Sequence, residues 1–206
     1  MSIAVGGLIN SAASFLEEVT MAERAYLHSL SSTDYLAGER IAEIRHEYVD
    51  GHVYGMAAGT KAHNQIAGNV YGLLRVHLRG TPCRVFIGDV KVHVTWDWRE
   101  RFYYPDVVVG CDAANSNPYV VEQPKLIVEV LSDSTERNDR SDKFYGYRRL
   151  ASLEEYVLIA QDVRRVEVYR RESGWDLEVY KTAEGFNLHC VGLSLTLADI
   201  YEGVLI

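Results

Sequence analysis

The chain has 206 residues, 48% of them apolar and 24% charged, and a formal net charge of −8. That length suits one large domain with a core, or one domain plus an extension, and no stretch approaches the ~18 consecutive apolar residues of a transmembrane helix. The charge argues against nucleic-acid binding by broad electrostatics; such a function would need a local basic strip, a metal or a partner.

Residues 1–30 read as an extension, with short helical patterns over Ala12–Val19 and Ala22–Leu30. The start carries no positive charge, and Asn10 and Ser11 interrupt its apolar run, which argues against a signal peptide. Residues 31–206 read as one domain. "SSTDYLAGE" is a capped short helix. "HEYVDGHVYGM" is a hairpin signal, with Asp50-Gly51 suited to a tight turn. "AHNQIAGNVYGLLRVHL" places Ile66, Val70, Leu73 or Leu74, and His77 at helical spacing. Three strands are expected next: "CRVFIGDVKVHVTW", with Asp89, Lys91 and His93 on one face, then "RFYYPDVVVGC" and "PKLIVEVLS", whose continuous apolar runs suit strands covered on both faces. "DRSDKFYGYRRL" reads as a helix and "EYVLIAQ" as a buried strand. "RRVEVYRRE", "GWDLEVYKT" and "FNLHCVG" read as antiparallel strands, and "LADIYEGVLI" as a closing helix. The fold class is α/β or α+β: a mixed sheet flanked by helices.

Cys83, Cys111 and Cys190 are odd in number and widely spaced, without a CxxC. The expectation is no disulfide framework, no zinc ribbon and a reducing cytoplasm, with Cys83 and Cys111 as buried small hydrophobes.

Two carboxylates stand out. Asp106, behind Pro105, opens a strand of valines, and Glu129 interrupts "LIVEVLSDST". A buried carboxylate costs roughly several kcal/mol unless paired, hydrogen-bonded or bound to a cation. On neighbouring strands the two would converge, and a divalent cation relieves their repulsion; Mg²⁺ takes one or two protein carboxylates and keeps several waters.

At these residues the chain resembles a known family. A Pro-Asp at a strand start with Glu inside a later strand looks like the PD-(D/E)XK nuclease superfamily. The ordered blocks "HEYVDGHVYGMAAGT", "HNQIAGNVYGLL", "GDVKVHV", "YYPDVVV", "LIVEVLSDST", "DKFYGYRRL" and "EYVLIAQ" resemble the Uma2 (DUF820) family of restriction-endonuclease-like proteins, over about residues 33 to 204. The resemblance implies a restriction-endonuclease-like fold and Mg²⁺-dependent (or Mn²⁺-dependent) cleavage of DNA, with Asp106 and Glu129 as metal-binding acids. The superfamily's lysine, two residues after the second acid, is replaced by Leu131. Lys143, on a helix with Asp139 and Tyr147 four residues to either side, and Lys91, on the strand with Asp89, are the replacements; Lys143 is preferred because the family pattern also has a lysine in that helix.

Glu47 and His63 match further family positions. Glu47 is a third ligand or water-orienting acid, or an exposed strand residue; His63 contacts phosphate, holds a carboxylate or merely caps a helix. Asp89 is an alternative acidic ligand, and Tyr147 a second-tier site residue. In "LSDST", Ser134 is expected to cap the next helix and Ser132 to brace Glu129. Basic residues cluster at Arg137, Arg140, Lys143, Arg148 and Arg149, and again at Arg164, Arg165, Arg170 and Arg171. Each cluster is either a phosphate-facing strip or a solvated, salt-bridged face. "GMAAG" has the wrong spacing for a phosphate loop, so no nucleotide cofactor is expected. A homodimer is expected, since two copies could cut two strands; the rivals to a DNA endonuclease are an inactive binding module of the same fold and a two-carboxylate glycoside hydrolase.

Overall fold

The computed structural model describes residues 29–112, 114, 117–133, 135–181 and 185–206. The expected extension and its helical patterns, apart from Ser29 and Leu30, lie outside these residues, as does the Ser134 cap.

Helix α1, Ser32–Glu39, is capped by Ser31, whose hydroxyl accepts from the Asp34 N–H. The hairpin follows as β1, His46–Val49, and β2, His52–Gly55. Asp50 and Gly51 take φ of 50° and 96°, the left-handed pair that a two-residue turn requires. Helix α2, Lys61–His77, is capped by Thr60 and buries Ile66, Ala67, Val70 and Leu74.

The first two expected strands are each broken in two. "CRVFIGDVKVHVTW" forms β3, Arg84–Ile87, and β4, Lys91–Trp96, with a bend at Gly88 (φ 70°). "RFYYPDVVVGC" forms β5, Arg99–Tyr103, and β6, Val107–Gly110, broken at Tyr104-Pro105-Asp106. The halves belong to different sheets. With β7, Val120–Val121, one sheet has the order β2-β1-β5-β4-β7. The other has the order β11-β10-β9-β8-β6-β3, where β8 is Pro124–Leu131, β9 Glu155–Ala160, β10 Val166–Arg170 and β11 Leu177–Tyr180. "FNLHCVG" contributes only β12, Phe186–Leu188, to a separate two-stranded sheet with β13, Leu193–Leu195. Helix α3 runs through Glu136–Asn138, a π-helical turn Asp139–Lys143, and Phe144–Tyr147. Helix α4, Leu197–Ile200, closes the chain with a capping box on Thr196.

One core joins α2 and α4 to one face of the six-stranded sheet through Ile66, Leu74, Val109, Val128 and Ile200. A second lies on the opposite face, where Ile127, Leu131 and Leu158 meet Val92 and Val94 of β4 and Tyr147 of α3. The mixed α+β class read from the sequence holds. β8 pairs in parallel with β9 and antiparallel with β6.

The cysteine reading needs correction. Cys83 and Cys111 form a disulfide across β3 and β6, with Cα atoms 3.9 Å apart and a sequence separation of 28. The Arg84–Gly110 pairing makes them the next cross-strand neighbours. Wide sequence spacing says nothing about proximity once two strands pair, so the cysteines no longer support a reducing compartment. No helix among the described residues is long and apolar enough to cross a membrane.

Candidate active site

The β6–β8 register sets the centre. Val107 lies opposite Val128, so Asp106 and Glu129 are the next pair along. The Asp106 N–H donates to Glu129 Oε2 at 3.3 Å, and the Val130 N–H donates to Asp106 Oδ2 at 2.7 Å. The break at Pro105 is what allows this. It ends β5 and turns the chain into the second sheet, leaving the Asp106 carboxylate at the junction.

Glu129 and Leu131 share a face of β8 by strand alternation. Leu131 is 4% exposed within the second core, so that position is apolar and filled. Helix α3 packs over that face and supplies the cation. Lys143 Nζ lies 2.9 Å from Glu47 Oε1, 3.3 Å from Glu129 Oε1 and 3.3 Å from Asp139 Oδ1. The Tyr147 hydroxyl donates to Glu129 Oε1 at 3.2 Å. Asp139, Lys143 and Tyr147 thus face one way, as their spacing suggested. Glu47 arrives from β1 and accepts the Tyr104 N–H at 3.3 Å.

His63 stands in the first turn of α2 because Thr60 caps it, its own N–H donating to the Thr60 hydroxyl at 3.1 Å. Its Nε2 lies 3.2 Å from Asp106 Oδ2. The hydrogen bond to Asp106 raises the imidazole pKa, against a smaller opposing effect of burial. Burial pushes the Glu129 carboxyl well above the usual range; Lys143 counters this, while Asp139, Asp106 and Glu47 add to it. Asp139 is raised likewise, by burial first. For Lys143 burial disfavours the charge, but Glu129, Glu47 and Asp139 outweigh it and hold the ammonium proton firmly.

These groups line a cleft of about 580 Å³ that also includes Tyr54, Met56, Asp133, Thr135 and Gln161. Five carboxylates, Glu47, Asp106, Glu129, Asp133 and Asp139, line it against Lys143 and His63. Among the described residues no three His, Cys, Asp or Glu side chains form a ready-made metal cage. A hard divalent cation that keeps most of its waters needs no such cage, and the acidic excess at Asp106 and Glu129 is the donor chemistry it takes.

Not every residue picked from the sequence arrives here. Asp89 sits in the bend before β4, outside any strand, 76% exposed and ion-paired to Arg45, and it does not line the cleft. Lys91 is buried elsewhere, donating to the Tyr104 hydroxyl at 3.0 Å, with its pKa lowered by burial. The Ser132 hydroxyl lies 3.0 Å from that of Thr135. Of the basic clusters, Arg140, Arg165 and Arg170 are taken up by Glu167 and Glu155. Sequence reading named Asp139 only as a neighbour of Lys143; its i,i+4 spacing was the available sign that it shares that ion cluster.

The family model described as "Putative restriction endonuclease", Uma2, matches residues 33–198. Uncharacterized protein slr1290 of Synechocystis sp. is 32% identical over 178 residues, covering 85% of this chain and 93% of that protein. Uncharacterized protein sll1609 of the same organism is 31% identical over 145 residues, covering 69% and 81%. A crystal structure described as a putative nuclease belonging to DUF820, from Anabaena variabilis, superposes with a TM-score of 0.71 at 15% identity, covering 85% of this chain and 99% of that one. At that identity the likeness is one of fold.

Proposed function

The chain belongs to the Uma2 family, and from that premise we propose that it is a Mg²⁺-dependent endonuclease hydrolysing DNA phosphodiester bonds. The observation that carries the reading is Lys143. Its ammonium lies 3.3 Å from Glu129 Oε1, beside the acid that the superfamily's lysine would accompany from position 131.

Asp106 and Glu129 would hold the cation. When bound, Mg²⁺ supplies a Lewis acid for a phosphoryl oxygen and lowers the pKa of a coordinated water. His63 and the Val130 N–H fix Asp106 Oδ2, so that carboxylate is oriented before metal or substrate arrives. Tyr147 and Lys143 fix Glu129 Oε1 in the same way. Because Lys143 keeps its proton, it does not act as the general base; it donates hydrogen bonds and offsets charge developing on the phosphorane oxygens. Glu47 and Asp139 hold the ammonium in position. A homodimer, bringing two clefts to two strands, belongs to the same proposal, and light scattering of the purified protein tests it.

Calorimetric titration of Mg²⁺ or Mn²⁺ into wild type and Asp106→Ala, with the same samples incubated with supercoiled plasmid, tests the centre. Metal binding lost in the variant, and EDTA-sensitive nicking by wild type alone, is the expected result. Metal binding without cleavage of any DNA would favour a binding module of the same fold. Nicking that survives EDTA would remove the metal from the mechanism.

A further inference from the structure

Helix α3 presents a second face. Tyr145 does not point along the Asp139–Lys143–Tyr147 row and meets Trp96 of the β4–β5 hairpin instead, while Arg148 and Arg149, just past the helix end, lie over the Tyr145 ring. Trp96 and Arg99 are cross-strand partners at the hairpin end, and Trp98 stands at its turn. The Tyr145 ring is 6.0 Å from Trp96. The Arg148 and Arg149 guanidiniums lie 4.9 Å and 4.7 Å from the Tyr145 ring, and that of Arg99 lies 4.6 Å from Trp98.

Trp96 packs against the second core, but its neighbours in the patch are left in water. Trp98 is 77% exposed and Tyr145 41% exposed. A tight turn favours small polar residues, and an indole left in water returns none of its burial energy. Arg99 is answered by Asp50, but among the described residues neither Arg148 nor Arg149 has an ion-pair partner. Asp97 stands in the same turn and Glu100 follows Arg99, but Glu100 is met by His93, so in a chain of net charge −8 Arg148 and Arg149 are two guanidiniums without a carboxylate of their own beside exposed rings.

We propose that this face of α3 and the β4–β5 hairpin bind single-stranded nucleic acid, with Trp98 and Tyr145 stacking on bases and Arg148 and Arg149 contacting phosphates. The chemistry selects that ligand. Guanidiniums alone would take any polyanion; exposed rings beside them add flat faces that only unstacked bases can match, and a duplex hides those faces. An acidic protein segment offers charge without planes. The reading of the cleft as a nuclease enters only through the class of ligand.

The test is made in EDTA, so cleavage plays no part. A short labelled oligothymidylate is titrated into the full chain and followed by anisotropy and tryptophan fluorescence. Binding with quenching is expected in wild type. Trp98→Ala should weaken it about 5- to 100-fold, the loss of one base stack. Trp98→Phe should recover most of the affinity, and the Arg148→Ala/Arg149→Ala pair should flatten its salt dependence. A thermal melt identical to wild type shows that Trp98→Ala is folded, as expected for so exposed a side chain. Wild-type affinity in Trp98→Ala, or displacement by polyglutamate as effective as by unlabelled oligothymidylate, would overturn the proposal.

Discussion

Replacing Lys143 with Met removes the ammonium shared by three carboxylates, of which Glu129 and Asp139 are buried and Glu47 is half-buried. Its nitrogen lies 2.9–3.3 Å from Glu47, Glu129 and Asp139. At an effective dielectric of about 20, one such contact is worth roughly 5 kcal/mol of attraction, or roughly 15 for three. Most of that offsets the cost of taking four charges out of water. Breaking a buried ion cluster from one side costs about 3–5 kcal/mol, because the partners stay behind unpaired. For a chain of this size that lowers Tm by roughly 6–20 °C.

The deficit should depend on pH with a defined sign. Burial raises the Glu129 and Asp139 carboxyls above their unfolded values. Groups raised in this way bind protons more tightly in the folded state, so stability rises as pH falls through the raised values towards the ordinary carboxylate range. Without Lys143 that rise should be steeper, and the gap between Lys143→Met and wild type should narrow from neutral pH to about pH 5. Urea unfolding at the two pH values measures it. A gap below about 1 kcal/mol near neutral pH, or one that does not change with pH, would refute the account of Lys143 as the charge that holds the cluster together.

His63 carries a pKa raised by Asp106, so its contribution is full below the ordinary histidine value of about 6.5 and is lost as pH rises through the folded value. NMR titration of the imidazole should show the upward shift, and His63→Gln should remove this pH dependence from the unfolding free energy. Leu131→Lys, which restores the superfamily's lysine position, should destabilise by roughly 3 kcal/mol or more by burying a second cation in the core, and combination with Lys143→Met should recover part of that in a double-mutant cycle. The Cys83–Cys111 link closes a loop of 28 residues, for which chain entropy gives about 3–4 kcal/mol; thiol counting of the denatured, unreduced protein should find Cys190 alone reactive, and dithiothreitol should lower the melting temperature.

What the sequence disclosed follows from range. The hairpin at Asp50-Gly51, helix α2 and the row Asp139–Lys143–Tyr147 are written in local spacing, and their placements followed. The convergence of Asp106 and Glu129 needed one non-local assumption, that β6 and β8 are neighbours, and the apolar runs on both supported it. The broken strands were harder. "CRVFIGDVKVHVTW" and "RFYYPDVVVGC" read as continuous because apolar alternation carries on through each break. The marks were present in Gly88, which takes a positive φ, and in Pro105, which has no N–H for a ladder. The same oversight misplaced Asp89, since strand alternation means nothing in a bend. The disulfide was not legible at all, because it depends on the pairing of β3 with β6.

The leucine at position 131 is explained by the same geometry. Glu129 and Leu131 point to the side of β8 that α3 covers, so a lysine there would need space that Tyr147, Tyr156 and Leu158 fill. With leucine in that place the helix packs against the strand, and its π-helical turn brings both Asp139 and Lys143 inward, where they are buried. The ammonium then reaches Glu129 from the helix side. Such turns are rare and often found at functional sites, since they shift a helix's register for the sake of one or two side chains. Leu131 and Lys143 are therefore coupled: the apolar residue in the strand lets the helix pack so that its lysine reaches Glu129.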